Sequence, residues 1–408
     1  METLFPPLGG AILPLLEGFP ALIDRVFPLP RRFRAGLPRD VAELSRLLTS
    51  GRGDRDGGYL GRPGLLSAYL RYFLPWNVYR LCRLLPALPL PLAAGDALTD
   101  LGSGPLTLPL ALWMSRPVMR GLSLEFRCLD RTGAALEAGK PLFSALAGQD
   151  CPWTIKTIRA SLGAPVHGPK AALVTAINMY NEIPGSGAPG SFAGKQGRLL
   201  SALAGEAGSI LVVEPGIPRS GECIAALRGA LGEQGRFPLA PCPHGGPCPL
   251  PGGFIPGGRV KAKWCHFAFT TEDAPRDLQA LSAAAGLPKE RAVLSFLLAG
   301  PRRGNPPARP GSPLPVRIIS DPFPLSQPGR YGRYGCSAAG LILAAGTREQ
   351  TEPWTPGTLL RLTPPPREQR DPKSKALLVQ PPDVPPGYLR IRRGEGKFPP
   401  PPSSLLHL

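Results

Sequence analysis

The stretch Asp96–Met114, DALTDLGSGPLTLPLALWM, decides how this chain folds. Ala97 to Leu101 is a short apolar strand, Gly102-Ser103-Gly104-Pro105 a tight turn, and Leu106 to Met114 the opening of a helix. A strand that runs through a glycine turn into a helix is a place where a nucleotide-like ligand meets unpaired N–H groups and the positive end of the helix dipole. A second strand, LSLEFRCLD, ends about 25 residues further on in Asp130, where a carboxylate can accept both hydroxyls of a ribose.

The alternation continues outward from this unit. A helix is predicted from Ala134 to Leu146, then a strand at AALVTAINMY leading into Asn178-Met179-Tyr180-Asn181-Glu182. A helix near Leu199–Leu203 precedes the strand SILVVEPG, which closes on Glu214-Pro215-Gly216. The helix ECIAALRGALGEQG follows, and after a cysteine-containing loop come the helix PRDLQALSAAAGL and the strand AVLSFLLAG. Strands alternating with helices imply an α/β fold, a doubly wound and mainly parallel sheet whose ligand site lies at the strand C-termini. Asp100, Asp130, Asn181 and Glu214 all fall at such ends, although any one of them alone reads equally well as a polar residue terminating a strand.

Upstream, Asp40 and Glu43 form a capping-box pattern, and Val41, Leu44, Leu47 and Leu48 follow at helical spacing, so a helix is predicted to start at Asp40. LLSAYLRYFLPWNVYRLCRLL predicts two helical runs broken or kinked at Pro75. Its Tyr69, Tyr72, Phe73, Trp76 and Tyr79 interleave with Arg71, Arg80 and Arg83. Aromatics beside Arg can stack bases, but at this spacing they read first as core. The expected organisation is an N-terminal helical domain over residues 1–90 and the α/β domain over 91–300 with a cysteine-rich insertion at 240–268. A linker over 301–312, a small basic β domain over 313–395 built from VRIIS, AAGLILAA, TLLRLT and GYLRIRR, and a disordered tail over 396–408 complete it.

The insertion holds Pro241 to Phe267, PCPHGGPCPLPGGFIPGGRVKAKWCHF, with Cys242, Cys248 and Cys265 beside His244 and His266. So much Pro and Gly with so little periodicity cannot hold a shape by packing alone. Three thiols in one such loop, with Cys336 of RYGCS as a fourth, point to a metal or iron–sulfur site, because thiolates are the soft ligands those centres take. Zinc is the competitor. Its sites usually draw on Cys-x2-Cys pairs, whereas here five, sixteen and seventy residues separate successive cysteines. His266 directly follows Cys265, and adjacent residues of an extended segment point to opposite sides, so it is poorly placed to share an ion; His244 is harder to set aside.

Eight cysteines in 408 residues are too sparse for a disulfide scaffold and suggest a reducing compartment. The opening METLFPPLGGAILPLLEGFPALIDRVF carries Glu2, Glu17 and Asp24 and no Arg before Arg25, fitting neither a secretory nor an Arg-rich transit segment. Every apolar run is cut short of a bilayer span, so a soluble monomer with no membrane partner is expected. Half of the net charge of +18 falls from Pro301 onward, which favours a polyanionic partner, RNA or DNA.

Several phrases together resemble one family: LSRLLTSGRG with YLRYFLPWNVYRL, TDLGSGPLT, NMYNEI, LVVEPGIPRSGE, APCPHGGPCP with KWCHF, and RYGCSAAG. They are similar to the methyltransferase-like small-ribosomal-subunit proteins, a family of mitochondrial assembly factors and their bacterial relatives, over about residues 40 to 345. The resemblance implies an S-adenosylmethionine-methyltransferase-like sheet, contact with small-subunit rRNA and ribosomal proteins during ribosome biogenesis or translation, and a 4Fe-4S cluster. It would make Cys242, Cys248, Cys265 and Cys336 the cluster ligands, with zinc the alternative metal, and place the protein in the bacterial cytoplasm or, in a eukaryote, the mitochondrion. For S-adenosylmethionine, the binding residues would be Asp100, Gly102, Gly104, Asp130 and Asn181. Active enzymes of this fold usually carry a third glycine after the turn. Leu106 follows Gly104-Pro105 here and is expected to crowd the methionine end of the cofactor. There is no aromatic-flanked Asn-Pro-Pro sequence for exocyclic-amine methylation, and Cys151-Pro152 lacks the second motif of a cytosine-C5 enzyme. Two functions follow: an assembly or translation factor that uses the fold as a scaffold, or an active S-adenosylmethionine-dependent RNA methyltransferase presenting a base near Asn178–Glu182.

Overall fold

Ala97–Leu101 is buried at every position, as a strand covered on both faces must be. It lies inside an eight-stranded sheet in the computed structural model, which describes residues 2–49, 59–183, 189–250, 264–301, 312–363 and 367–379. Most of the expected linker, the expected strand GYLRIRR and the expected tail lie outside the described residues.

The chain begins with β1 (Glu2–Thr3) and the helices α1 (Leu13–Val26), α2 (Arg31–Arg34), α3 (Leu37–Leu48), α4 (Pro63–Ala68) and α5 (Leu74–Leu84). α3 starts upstream of the expected cap: Gly36 is its N-cap and Asp40 sits within its first turn, so the capping box does not form. Pro38 accounts for this, since a proline in the first turn gives up only an N–H that has no helical partner there. α4 and α5 are not broken at Pro75. They run together through a π-helical turn, Tyr69–Phe73, closed by the Leu74 N–H on the Tyr69 carbonyl. A regular α-turn would press the Pro75 ring on the Arg71 carbonyl, and the wider π turn relieves that clash while keeping the helix continuous.

The α/β region follows as β2 (Ala97–Leu101), α6 (Thr107–Ser115), β3 (Glu125–Asp130), α7 (Gly133–Ala147), β4 (Thr154–Arg159), β5 (Ala171–Ile177), α8 (Pro189–Leu203), β6 (Ala204–Pro215), α9 (Pro218–Glu233), β7 (Arg236–Ala240), β8 (Phe267–Thr270), α10 (Arg276–Ala284) and β9 (Arg291–Pro301). The strand order is β4-β3-β2-β5-β6-β9-β7, with β8 also pairing β9. β2 to β6 are parallel, while β9 runs antiparallel to β6, β7 and β8. The order reverses between β2 and β5, and at such a switch point the connections diverge and leave a crevice. β4 escaped the sequence reading because it is an edge strand, TIKTIR, with no fully buried position and hence no apolar pattern. β8 escaped because four residues are too few to show alternation.

A second sheet is formed by β10 (Leu314–Ile318), β11 (Phe323–Pro324), β12 (Arg330–Ser337), β13 (Gly340–Thr347), β14 (Thr358–Leu362) after the short α11 (Arg348–Thr351), and β15 (Leu377–Val379). Its first member is β1, which pairs with β14, so the start of the chain closes the C-terminal sheet. From there Phe5 stacks on Phe269 at 4.9 Å and packs beside Phe267 and Phe296, joining that edge to the large sheet.

The N-terminal helices and one face of the large sheet bury their apolar residues in one continuous core, from Leu16 and Phe19 through Tyr79 to Phe126 and Leu298. The opposite face forms a second core with α8 and α9, around Val174, Leu200, Ile210 and Leu227. Polar pairs fix α5 on this frame: Arg83 holds both Asp273 oxygens at 2.9 and 2.8 Å, Tyr79 reaches Asp273 at 2.5 Å, and the Trp76 indole N–H meets Ser282 at 3.1 Å. Among the described residues no helix is long and apolar enough to cross a membrane.

Candidate functional site

Two regions gather the residues singled out above. The first is the crevice at the β2/β5 switch point. Gly102 (φ 68°) and Gly104 (φ 53°) both adopt the left-handed conformation that glycine tolerates without penalty. Leu106 does so too (φ 59°), at a cost of about 1–2 kcal/mol for a residue with a Cβ. Its side chain is fully buried, which returns about 1.5–3 kcal/mol. That burial decides where the side chain goes: Leu106 turns into the core against Gly139 of α7 and is not part of the cavity wall, so it does not crowd the crevice as its sequence position suggested. The room comes from Gly139, since a Cβ there would stand 2.5 Å from Leu106 Cγ and 2.6 Å from the Pro105 carbonyl carbon.

The crevice has a volume of about 380 Å³, and its wall includes Gly102, Gly104, Asp130, Asn178, Met179 and Glu182. Asp130 braces the turn, its Oδ2 accepting from the Gly104 N–H at 2.9 Å and its Oδ1 from the Thr132 N–H at 2.7 Å. Each oxygen keeps a further lone pair for a ligand. Met179 lies directly over Gly102, where a Cβ would come within 2.8 Å of Met179 Cγ. Asp100 and Asn181 stand apart from this wall. Asp100 sits behind the turn, 1% exposed, with Oδ1 accepting from the Thr175 hydroxyl at 2.5 Å, and burial pushes its carboxyl up to about 6. Asn181 lines a neighbouring cavity instead. Glu214 accepts the Tyr180 and Asn181 N–H groups at 2.8 and 3.0 Å, holding the segment after β5, while burial pushes its carboxyl up to about 8. Tyr69 of the π turn, read from sequence as core, reaches the wall of both cavities.

The second region is the cysteine loop. Arg317 of β10 donates to the Pro241 carbonyl at 3.1 Å, pinning the start of the loop to the C-terminal sheet. Arg228 of α9 donates to the His244 and Gly246 carbonyls at 3.0 and 2.5 Å, and the Ser295 hydroxyl holds the Cys265 carbonyl at 2.8 Å. Cys242, Cys248 and Cys336 come within electrostatic reach of Cys265, and all four thiols are free. Burial raises the Cys265 thiol well above its ordinary value, and negative charge on Cys242, Cys248 or Cys336 raises it further, so all four share one electrostatic environment. Arg228 opposes this, favouring the thiolate at Cys242, Cys265 and Cys336.

His244 Nε2 lies 3.2 Å from Cys336 Sγ, and burial followed by the nearby Arg228 depresses its imidazole to about 4. His266 turns away, stacked on Trp264 at 4.9 Å with Nδ1 at 3.2 Å from the Trp264 carbonyl. Among the described residues no group of three or more His, Cys, Asp or Glu side chains is arranged to hold a single metal ion. As a donor set, four soft sulfurs beside an arginine suit a thiolate-ligated centre with a broader body than one ion.

A doubly wound, mainly parallel sheet that reverses at β2/β5, with a ligand-sized crevice at that reversal, defines a methyltransferase-like α/β protein. A profile of the family described as Mitochondrial small ribosomal subunit Rsm22 matches residues 98–323, more than half of the 408, and the chain belongs to that family. No curated protein matches the chain by sequence. Among solved structures, it is similar to a SAM-dependent methyltransferase from Geobacter sulfurreducens in complex with S-adenosyl-L-homocysteine (14% identity, 56% of this chain and 91% of that one, TM-score 0.32). It is likewise similar to a SAM-dependent methyltransferase from Thiobacillus denitrificans in complex with the same compound (13% identity, 56% and 92%, TM-score 0.32).

Proposed function

We propose that this protein is an assembly or translation factor of the small ribosomal subunit that binds rRNA and a 4Fe-4S cluster, with the methyltransferase-like fold as its scaffold. The observation that carries the reading is that Cys242 and Cys248 of the loop, and Cys336 from β12 of a separate sheet, lie near enough to Cys265 for their charge to raise its thiol. A cubane spreads its four ligand positions over a wider body than a zinc ion does, which suits thiols arriving from distant segments. In this reading the cluster staples the loop and the C-terminal sheet to the large sheet. The mitochondrial description of the family supports a mitochondrial setting. Anaerobic purification tests the cluster directly: brown protein with iron and acid-labile sulfide supports it, and one zinc per chain with no iron after reconstitution overturns it.

rRNA is proposed to be gripped through its phosphates by exposed cations. In the C-terminal sheet Arg317 and Arg333 are buried and donate to carbonyls, so they are not part of that surface. Arg348, Arg361, Lys373 and Lys375 are exposed. For neutralisation of about five phosphates, the slope of log affinity against log salt is expected at about −3.5 to −4.5. Replacing these four residues together by Gln is expected to flatten the slope by about 0.7 to 0.9 for each phosphate no longer neutralised. An unchanged slope in a filter-binding titration would move the RNA surface elsewhere.

The crevice favours a second reading, an active S-adenosylmethionine-dependent RNA methyltransferase. Its volume suits a small ligand, Leu106 leaves it open, and Gly102, Gly104 and Asp130 line it. Bound there, S-adenosylmethionine would supply the electrophilic methyl group. Asp130 would hold the ribose, and the left-handed glycines would let the backbone approach. Asp130→Ala is expected to weaken S-adenosylmethionine binding by about 1.5–3 kcal/mol in calorimetry. It should also lower the thermal midpoint, because the Gly104 and Thr132 N–H groups lose their acceptor. Absence of binding to the wild-type chain at millimolar ligand would leave the scaffold reading alone.

A further inference from the structure

Beside the crevice lies a second cavity of about 260 Å³, walled by Tyr69, Tyr72, Phe73, Trp76, Arg80 and Lys289. It meets the first along Tyr69, Asn178 and Glu182.

The aromatic wall is a product of the π turn. Tyr69, Tyr72 and Phe73 lie within that turn, and Trp76 follows just after it. Such widened turns shift side chains off the regular helical stripe, and they are frequent at functional sites. Tyr69 and Phe73 stack at 5.8 Å and are only half-buried, so both rings present surface to the cavity.

The two cations are the unusual feature. The Arg80 guanidinium bonds the neutral Asn77 side-chain oxygen and, at 3.4 Å, the Val293 carbonyl. Lys289 Nζ stands 5.7 Å from the ring centres of both Tyr72 and Trp76. Among the described residues neither forms an ion pair. Burial pushes the Lys289 ammonium down to about 7, with the Arg80 charge pushing the same way, and burial brings Arg80 to about 10. Arg80 and Lys289 are half-buried like charges on one wall, Glu182 lines the cavity where it meets the crevice, and an anion arriving between the two cations would relieve their repulsion. Phosphate is the anion that an arginine and a lysine recognise together, and the rings beside them offer π-faces that every base can stack on. The volume lies just under the usual range of about 300–1,000 Å³ for ligand pockets, which suits one nucleotide and no longer segment.

We propose that this cavity binds a single nucleotide, its phosphate drawn to Arg80 and Lys289 and its base laid against the aromatic wall. The ligand is either a free nucleoside 5′-monophosphate or one nucleotide of an RNA strand. The proposal is independent of whether S-adenosylmethionine occupies the neighbouring crevice.

The test uses the full chain without S-adenosylmethionine. Binding of the four ribonucleoside 5′-monophosphates and of a short oligoribonucleotide is measured by calorimetry or fluorescence anisotropy, with inorganic phosphate and adenosine as partial ligands. Lys289→Met keeps the stem and removes the charge. It is expected to weaken binding about tenfold or more while the thermal midpoint stays level or rises. Monophosphate binding that shows this loss identifies a free nucleotide; oligonucleotide binding alone with the same loss identifies an RNA nucleotide. In the wild-type chain, saturating ligand should also shield Lys289 from acylation by a water-soluble acetyl ester, read by mass spectrometry, which decides the matter even if the variant folds poorly. Unaltered labelling of Lys289 at saturation overturns the proposal, as does inorganic phosphate binding as tightly as the nucleotide.

Discussion

Cys336→Ser is expected to strip iron from the anaerobically purified protein and to open the C-terminal sheet to proteolysis. Cys336 is the one member of the thiol group outside the loop. It sits on β12 opposite Arg317 of β10, and Arg317 in turn holds the Pro241 carbonyl where the loop begins. In the proposed reading, a centre ligated by Cys242, Cys248, Cys265 and Cys336 would therefore be a cross-link between the two sheets as well as a cofactor. Metal-ligand bonds of this kind contribute directly to folding free energy. Serine matches cysteine in size and keeps a polar hydrogen, so the fold without metal loses little. What it lacks is the soft, easily ionised sulfur. Wild-type protein should carry about four iron atoms per chain and the variant clearly fewer. Limited proteolysis should cut the variant faster after residue 301, although the Phe5 stack on Phe269 will keep the two sheets associated. Equal iron and equal protease resistance in the two proteins would remove Cys336 from the site, and with it the cross-link.

The second large effect is a loss of stability from one methyl group. In Gly139→Ala the new Cβ would meet the Pro105 carbonyl carbon at 2.6 Å and its oxygen at 2.8 Å, with Leu106 Cγ at 2.5 Å. Two of those three atoms are backbone of the turn that lines the crevice, and they cannot swing aside as a side chain end can. Intrinsic helix propensity favours Ala over Gly by about 1 kcal/mol, which the clash must overcome. Overpacking costs about 1–3 kcal/mol and occasionally more, and collision with backbone places this case at the top of that range, so the net loss is expected at about 2 kcal/mol. Gly229→Ala is the matched control. It lies in α9, exposed, with nothing within 4 Å of a Cβ, so the same substitution is expected to stabilise by about 0.5–1 kcal/mol. Urea denaturation of both variants separates the two predictions by sign. A Gly139→Ala midpoint at or above wild type would show that α7 can shift away from the turn.

The alternation of strands and helices, the glycine turn after Leu101 and the carboxylate at Asp130 were legible in the amino-acid order, because each depends on local periodicity or on the backbone freedom of a single residue. The cysteine loop was legible for the same reason: soft donors in a segment that cannot pack declare their chemistry locally. The direction of the Leu106 side chain was not, because it depends on Gly139 in another helix offering a vacancy only in the folded state. Asp100 and Asn181 looked equivalent to Asp130 as strand-end polar residues, yet only the sheet's switch point determines which of them faces the crevice. The pairing of Glu2–Thr3 with β14 carries no sequence signal, since two residues have no period. Most of all, the residues around Tyr69 read as core by their spacing, and their spacing assumed a regular helix. Pro75 turned that helix into a π turn and brought Arg80, with Lys289 from far along the chain, to one aromatic cavity. Local physics selects the elements, while the sites between them arise where residues hundreds of positions apart are packed together.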